Sequence, residues 1–216
     1  MKRIRFLVIL SSLFFLNEST SAQAFNQLLV FSEWHYGFLS YPLNAPAPFP
    51  EDARVYGSSS GIKFQHISKG NFVWGGSIAY TQKLLTYAEP ISIRNANNTV
   101  SLTIDGERSQ NISLQIEAGY AWRINRQQQF ILTGSVNYMH FLNNEFRSDG
   151  DASVLGDPVS LVESLPGVGI NPYWQIAFKK GNSFGLSFGL PIRYLIDENT
   201  DGDLQLGIEA GVGYRF

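Results

Sequence analysis

From residue 28 to the C-terminus, apolar and polar residues alternate in segments separated by polar stretches, and the even-numbered positions carry the bulk. The last segment shows it plainly: Leu204, Leu206, Ile208, Ala210, Val212, Tyr214 and Phe216 against Gln205, Gly207, Glu209, Gly211, Gly213 and Arg215. A period of two is the signature of a strand with two unlike faces. Seven more segments follow the rule: Leu28 to Leu39, roughly Tyr56 to Ile67, then stretches around Phe72–Lys83, Ile112–Arg123, Phe130–Leu142, Val168–Phe178 and Phe184–Tyr194. The second is the poorest and is rich in serine.

The two faces differ in kind. One is broad, apolar and ringed at its ends by aromatic residues, whereas the other mixes glycine, alanine and serine with isolated charges. A soluble sandwich turns its polar face to water, but small residues with a few ions suit a narrow lumen, and an apolar wall with aromatic girdles suits lipid. The pattern therefore predicts an all-β fold, an eight-stranded antiparallel up-and-down transmembrane β-barrel. Short connections at 68–71, 124–129 and 179–182 alternate with longer ones at about 40–54, 88–110, 145–164 and 197–203. That alternation fits periplasmic turns and extracellular loops, with both chain ends on the periplasmic side.

The N-terminus refines this picture. Residues 1–24 combine Lys2, Arg3 and Arg5 with an apolar core from Phe6 to Leu16 and a small-residue tail ending in Ala22 and Ala24, which is the form of a cleaved signal peptide. Residues 25–216 are then the barrel domain. The acidic balance of the remaining chain argues against nucleic acid as a partner, and the absence of cysteine excludes disulfides and thiolate metal sites.

The terminal residues carry a family likeness. The mature chain resembles the small eight-stranded outer-membrane barrels of Gram-negative bacteria, such as the transmembrane domain of outer membrane protein A, and more weakly the barrels of Bacteroidetes. In that family a C-terminal phenylalanine with an aromatic residue two positions earlier resembles the signal read by the barrel-assembly machinery; Tyr214 and Phe216 stand in those places. The resemblance implies a porin-like protein of the outer membrane, a monomer among outer-membrane lipids and lipopolysaccharide.

By parity the inward charges are Glu33, Lys63, Lys83, Glu117, Arg123, Arg193, Glu209 and Arg215. Charges in a narrow lumen must pair, so a network around Glu33, Glu117 and Glu209 with lysine and arginine partners is expected, without an open pore. A small gated ion channel along the same charges is the alternative. Two further motifs suggest chemistry. His35 with Ser59 and Glu33 has the residue types of an acyl-transfer site, and some eight-stranded barrels are lipid A-modifying acyl hydrolases or transferases. That lipid-modifying family carries its pair as His-x-Ser, a spacing found here only at His66 and Ser68, at the periplasmic end. In "DENTDGDL", Asp197, Asn199, Asp201 and Asp203 with Gly202 match the opening of a calcium loop, although the closing glutamate is missing and an exposed turn explains the same residues. No other cofactor is indicated. The function expected is a non-enzymatic barrel that supports envelope integrity or presents loops to an extracellular partner.

Overall fold

In the computed structural model, the residues described are 24–40, 52–94, 100–125, 127–150, 164–178, 184–196 and 202–216. Nine antiparallel strands form one sheet: β1 (Phe25–Ser40), β2 (Asp52–Ile67), β3 (Phe72–Arg94), β4 (Val100–Arg123), β5 (Gln128–Gly150), β6 (Ser164–Ala177), β7 (Phe184–Gly189), β8 (Ile192–Leu195) and β9 (Asp203–Arg215). From β1 to β7 each strand pairs with the next in sequence, β7 and β8 each pair with both β6 and β9, and β1 pairs with β9 to close the ring. β7 and β8 are two halves of one stave. Pro191 has no N–H, so the stave is interrupted at Leu190–Pro191, yet the Leu190 N–H still donates to the Pro172 carbonyl (3.0 Å) and Gly207 N–H to that of Pro191 (2.8 Å). The ring therefore has eight staves. Its seam is sealed by reciprocal backbone hydrogen bonds between Asn26 and Phe216, each 2.9 Å, which meets the demand that no strand edge face lipid.

The register sets the shape of the barrel. A row of paired residues runs from Asn26 through His66, Trp74, Ala118, Gly134, Ile170, Ile192 and Leu206, and returns to β1 at Tyr36, ten residues along the strand. Eight staves with that offset tilt by about 41°, so each residue gains roughly 2.5 Å of height and each step to the next strand lifts a row by about 1.25 residues. On this scale the strand ends that flank the short connections fall at one level. Tyr214, Phe130, Tyr120, Trp174 and Trp74 form a lower ring, and Tyr36, Tyr56, Tyr80, Tyr138 and Tyr194 an upper one. The rings are roughly 20 Å apart, a little under the ~25 Å apolar band of outer-membrane barrels. Between them most outward residues are exposed and apolar, with Ile116 at 73% and Val136 at 64%, interrupted on β1 and β2 by Ser32, Ser58 and Ser60. A wall of that kind is stable only in lipid.

Three strands run beyond the upper ring. The pairing of β3 with β4 continues to Arg94↔Val100, and that of β4 with β5 to Leu102↔Gly150. The connection expected at 88–110 is thus largely strand, and that expected at 145–164 begins as strand through Gly150, while 151–163 lie outside the described residues. Above the upper ring the outward face meets water instead of lipid while Tyr87 and Ile104 stay buried, so the period of two that marks a lipid-facing strand fades, and register shifts after Thr86 and Ile104 break it further.

The lower turn between β2 and β3 needs a left-handed residue. Asn71 has φ 63°; the Asn71 N–H donates to the Ser68 carbonyl (3.0 Å) and its carbonyl accepts from Ala121 N–H (2.9 Å). Asparagine tolerates this conformation, and a β-branched residue does not. Asn71→Val is expected to cost about 1–2 kcal/mol in urea unfolding of the refolded barrel, and Asn71→Gly to be neutral or slightly stabilising.

Candidate functional site

The lumen is the place where these residues converge, because odd-numbered side chains of every strand point into it. Its floor is an apolar cluster of Ile67, Val73, Ala121, Ile131 and Tyr173, with Phe25 packed against it. At the same level lie four buried amides: Gln27 donates to Gln65, Gln129 to Gln175 (2.6 Å), and Gln175 to Gln65 (3.1 Å). Apolar side chains and amides that bond one another together fill this end of the lumen.

The charges stand in tiers over this floor. In the lowest, Lys63 Nζ donates to both carboxylate oxygens of Glu209 (2.7 and 2.8 Å) and to the Tyr173 hydroxyl (2.8 Å). Its ammonium also sits 4.0 Å from the Tyr173 ring centroid and 5.0 Å from that of Phe31, so cation–π contacts add to the pair. Glu117 has neutral partners: it accepts from Gln65 (2.5 Å), Thr133 (2.9 Å), Tyr173 (3.0 Å) and Gln115 (3.2 Å). Tyr173 therefore links Glu117 to the Lys63–Glu209 pair. In the middle tier Arg193 grips Glu33 through both guanidinium nitrogens, Nη2 to Oε2 at 2.6 Å. Gly207 makes room for this grip, since a Cβ there would lie 2.7 Å from Glu33 Oε1.

The upper tier pairs Lys83 Nζ with Asp203 Oδ2 at 3.3 Å. Asp203 is buried in the lumen at the start of β9, on a level with an apolar cluster of Met139, Leu165 and Leu195. Its position is therefore that of an interior counter-ion and not of an exposed loop ligand. Asp197, Asn199 and Asp201 lie outside the described residues. Among the described residues no three acids, histidines or cysteines are placed to hold a metal ion. Arg123 and Arg215 occupy the periplasmic mouth; the Arg215 guanidinium lies 4.8 Å from the Phe25 ring centroid, away from the three tiers.

His35, Ser59 and Glu33 line a common cavity of about 30 Å³ but do not form a relay. The Ser59 hydroxyl bonds Thr81 Oγ1 at 2.8 Å, Glu33 is held by Arg193, and His35 Nδ1 stays 3.8 Å from Glu33. Neither imidazole nitrogen has a hydrogen-bond partner among the described residues. The cavity is water-sized, far below the ~300 Å³ at which ligand pockets begin. Ser59→Ala and His35→Ala are expected to leave the mass profile of lipid A unchanged; loss of a species differing by one acyl chain would restore the acyl-transfer reading. His66 faces outward near the lower ring, with Nδ1 2.8 Å from Asn26 Oδ1, and Ser68 Oγ accepts from the Phe72 N–H (3.0 Å) in the adjoining turn.

Parity places Tyr173 and Gln175 on the inward face, but it does not reveal the contacts that make them part of an amide layer and an apolar cluster. Tyr173 stands at an odd position between Pro172 and Trp174, and an aromatic residue out of phase was the one available signal.

Closed ring, lipid-facing belt and filled lumen together define a small eight-stranded transmembrane β-barrel of the outer-membrane type. Among solved structures, the outer membrane protein OprG from Pseudomonas aeruginosa overlays with a TM-score of 0.51 at 10% identity, covering 91% of this chain and 97% of that one. Neisserial surface protein A gives 0.49 at 12% identity, over 90% and 99% of the two chains. Ail, the attachment invasion locus protein of Yersinia pestis, gives 0.38 at 13%, over 88% and 99%. At such identities the overlay on OprG establishes the fold and nothing about activity. No protein-family model matches the chain, and no curated relative matches it in sequence.

Proposed function

We propose that this protein is a non-conducting, non-enzymatic barrel of the Gram-negative outer membrane whose lumen is a structural core and whose work is done at the extracellular surface. One observation carries the reading. The amide layer and apolar floor span the lumen beneath three tiers of ionic contacts, while β3, β4 and β5 continue as a sheet above the upper ring. Burying Glu33, Lys63 and Glu209 as satisfied partners consumes the groups that an ion path would use. What remains available is the extension, held rigidly by strand pairing from below, which suits presentation to an extracellular partner or support of the envelope. The protein works as a monomer among outer-membrane lipids and lipopolysaccharide, and Tyr214 and Phe216 serve its delivery by the barrel-assembly machinery.

The test is a shortened barrel in which residues 88–106 are replaced by a two-residue hairpin turn, expressed in a strain lacking the native gene. Insertion should persist, and surface binding or detergent resistance should fall to the level of the deletion strain. Purified wild-type protein in planar bilayers should show no steady conductance. Full complementation by the shortened barrel, or stable single-channel steps from the wild type, would reject the reading.

A further inference from the structure

The outward surface is predominantly apolar up to the upper ring, and two cations stand above it. Arg54 on β2 and Arg108 on β4 are both exposed and outward-facing, on strands that flank Leu84 and Thr86 of β3. Register places Arg54 beside Thr86, and Arg108 beside Leu84, two residues lower in the row. The climb of the rows across two strands offsets that difference, so both arginines reach the same height, roughly 10 Å above the tyrosine ring. Their Cα atoms are about 12 Å apart by the same geometry. A guanidinium on a long stem spans such distances, so both heads can meet one large headgroup.

We propose that Arg54 and Arg108 form a binding site for a phosphorylated outer-leaflet glycolipid, each guanidinium holding one phosphate of a bisphosphorylated disaccharide head. The inference rests on the outward orientation of the long connections in the outer-membrane reading. Three features favour a lipid over a soluble anion. The arginines stand roughly 10 Å above the tyrosine ring that marks the interface, the outward surface descends from them through Tyr56, Gln82 and Gln110 to the lipid-facing wall, and Tyr36 and Tyr56 pack at 5.0 Å along the same edge, as interfacial aromatic residues do. Arginine binds phosphate oxygens bidentately, which makes it the suited cation here. The nearest acids along the strands occupy positions higher on the barrel: Asp52 lies two residues beyond Arg54, and Glu145 pairs in register with Arg108 one strand further round. The cations are therefore the groups that meet the membrane.

The experiment uses the full barrel in mixed micelles at low salt, with bound lipid counted by native mass spectrometry. Bisphosphorylated lipid A, its dephosphorylated form and inorganic phosphate as competitor serve as probes. The wild type is expected to retain the bisphosphorylated lipid, and Arg54→Gln with Arg108→Gln to bind it roughly 30-fold more weakly. Dephosphorylated lipid should bind the wild type as weakly as the doubly substituted barrel binds the phosphorylated one. Arg54→Lys with Arg108→Lys should recover part of the affinity, and the heat-modifiable gel shift identifies any variant that does not fold.

Equal retention of both lipids by the wild type, or unchanged retention by the glutamine variant, overturns the proposal. So does displacement of lipid by millimolar inorganic phosphate, which would show a site for free anions. Reduced stability of the glutamine variant with lipid selectivity intact would also overturn it, since the arginines would then serve only Asp52 and Glu145. None of these outcomes depends on conductance or on the shortened barrel, so this site and the surface reading fail separately.

Discussion

Glu209→Ala is expected to lower the stability of the refolded barrel by about 3–5 kcal/mol, because it strands the Lys63 ammonium where water does not reach it. Both partners are nearly inaccessible, at 2% and 1% exposure. The Tyr173 hydroxyl and two aromatic faces cannot replace a carboxylate that accepts two charge-assisted hydrogen bonds. Removing both charges should behave differently. Lys63→Met combined with Glu209→Leu keeps the volume and leaves no unpaired ion, so its stability should stay within about 1 kcal/mol of the wild type or rise. Urea unfolding in lipid vesicles, followed by gel shift and tryptophan emission, measures both. A loss below about 1 kcal/mol for Glu209→Ala would mean that water enters the tier and that the lumen is less closed than its packing indicates.

Tyr173→Ala should cost a similar amount, about 3–5 kcal/mol, by a different route. The ring is part of the apolar floor, at 1% exposure among Ile67, Val73, Ala121 and Ile131, so truncation opens a cavity in that packed cluster. Its hydroxyl also donates to Glu117 and accepts from Lys63. Tyr173→Phe separates the two contributions. Floor and cation–π contact remain while the link between Glu117 and Lys63 is cut, for an expected loss of about 1–3 kcal/mol. Should alanine and phenylalanine cost the same, packing contributes nothing and the floor is not a packed cluster.

The two substitutions probe parts of the lumen that differ in how far they can be read from the chain. Glu33, Lys63, Glu117, Arg193 and Glu209 are visible as inward ions because a strand has only two faces and the bulky face must meet lipid. Their partners are not visible. Glu33 and Arg193 are 160 residues apart, as are Lys63 and Glu209 by 146, and nothing local records which ion meets which. Asp203 shows the same limit: its neighbours suggest a turn motif, and only the start of β9 turns it inward toward Lys83. His35 and Ser59 share a strand pair and a cavity, yet Thr81 and Arg193 take the groups that would have joined them.

Alternation and aromatic girdles by themselves determined an eight-stave barrel in lipid, because period-two amphipathicity is a local property written into each segment. The tertiary structure decided everything that depends on offset. The ten-residue climb of the register sets the tilt, brings distant ions to one height, aligns Arg54 with Arg108, and layers floor, amides and ion pairs into a filled core. Register is a relation between strands, set by how all eight staves close at once, and no single segment carries it.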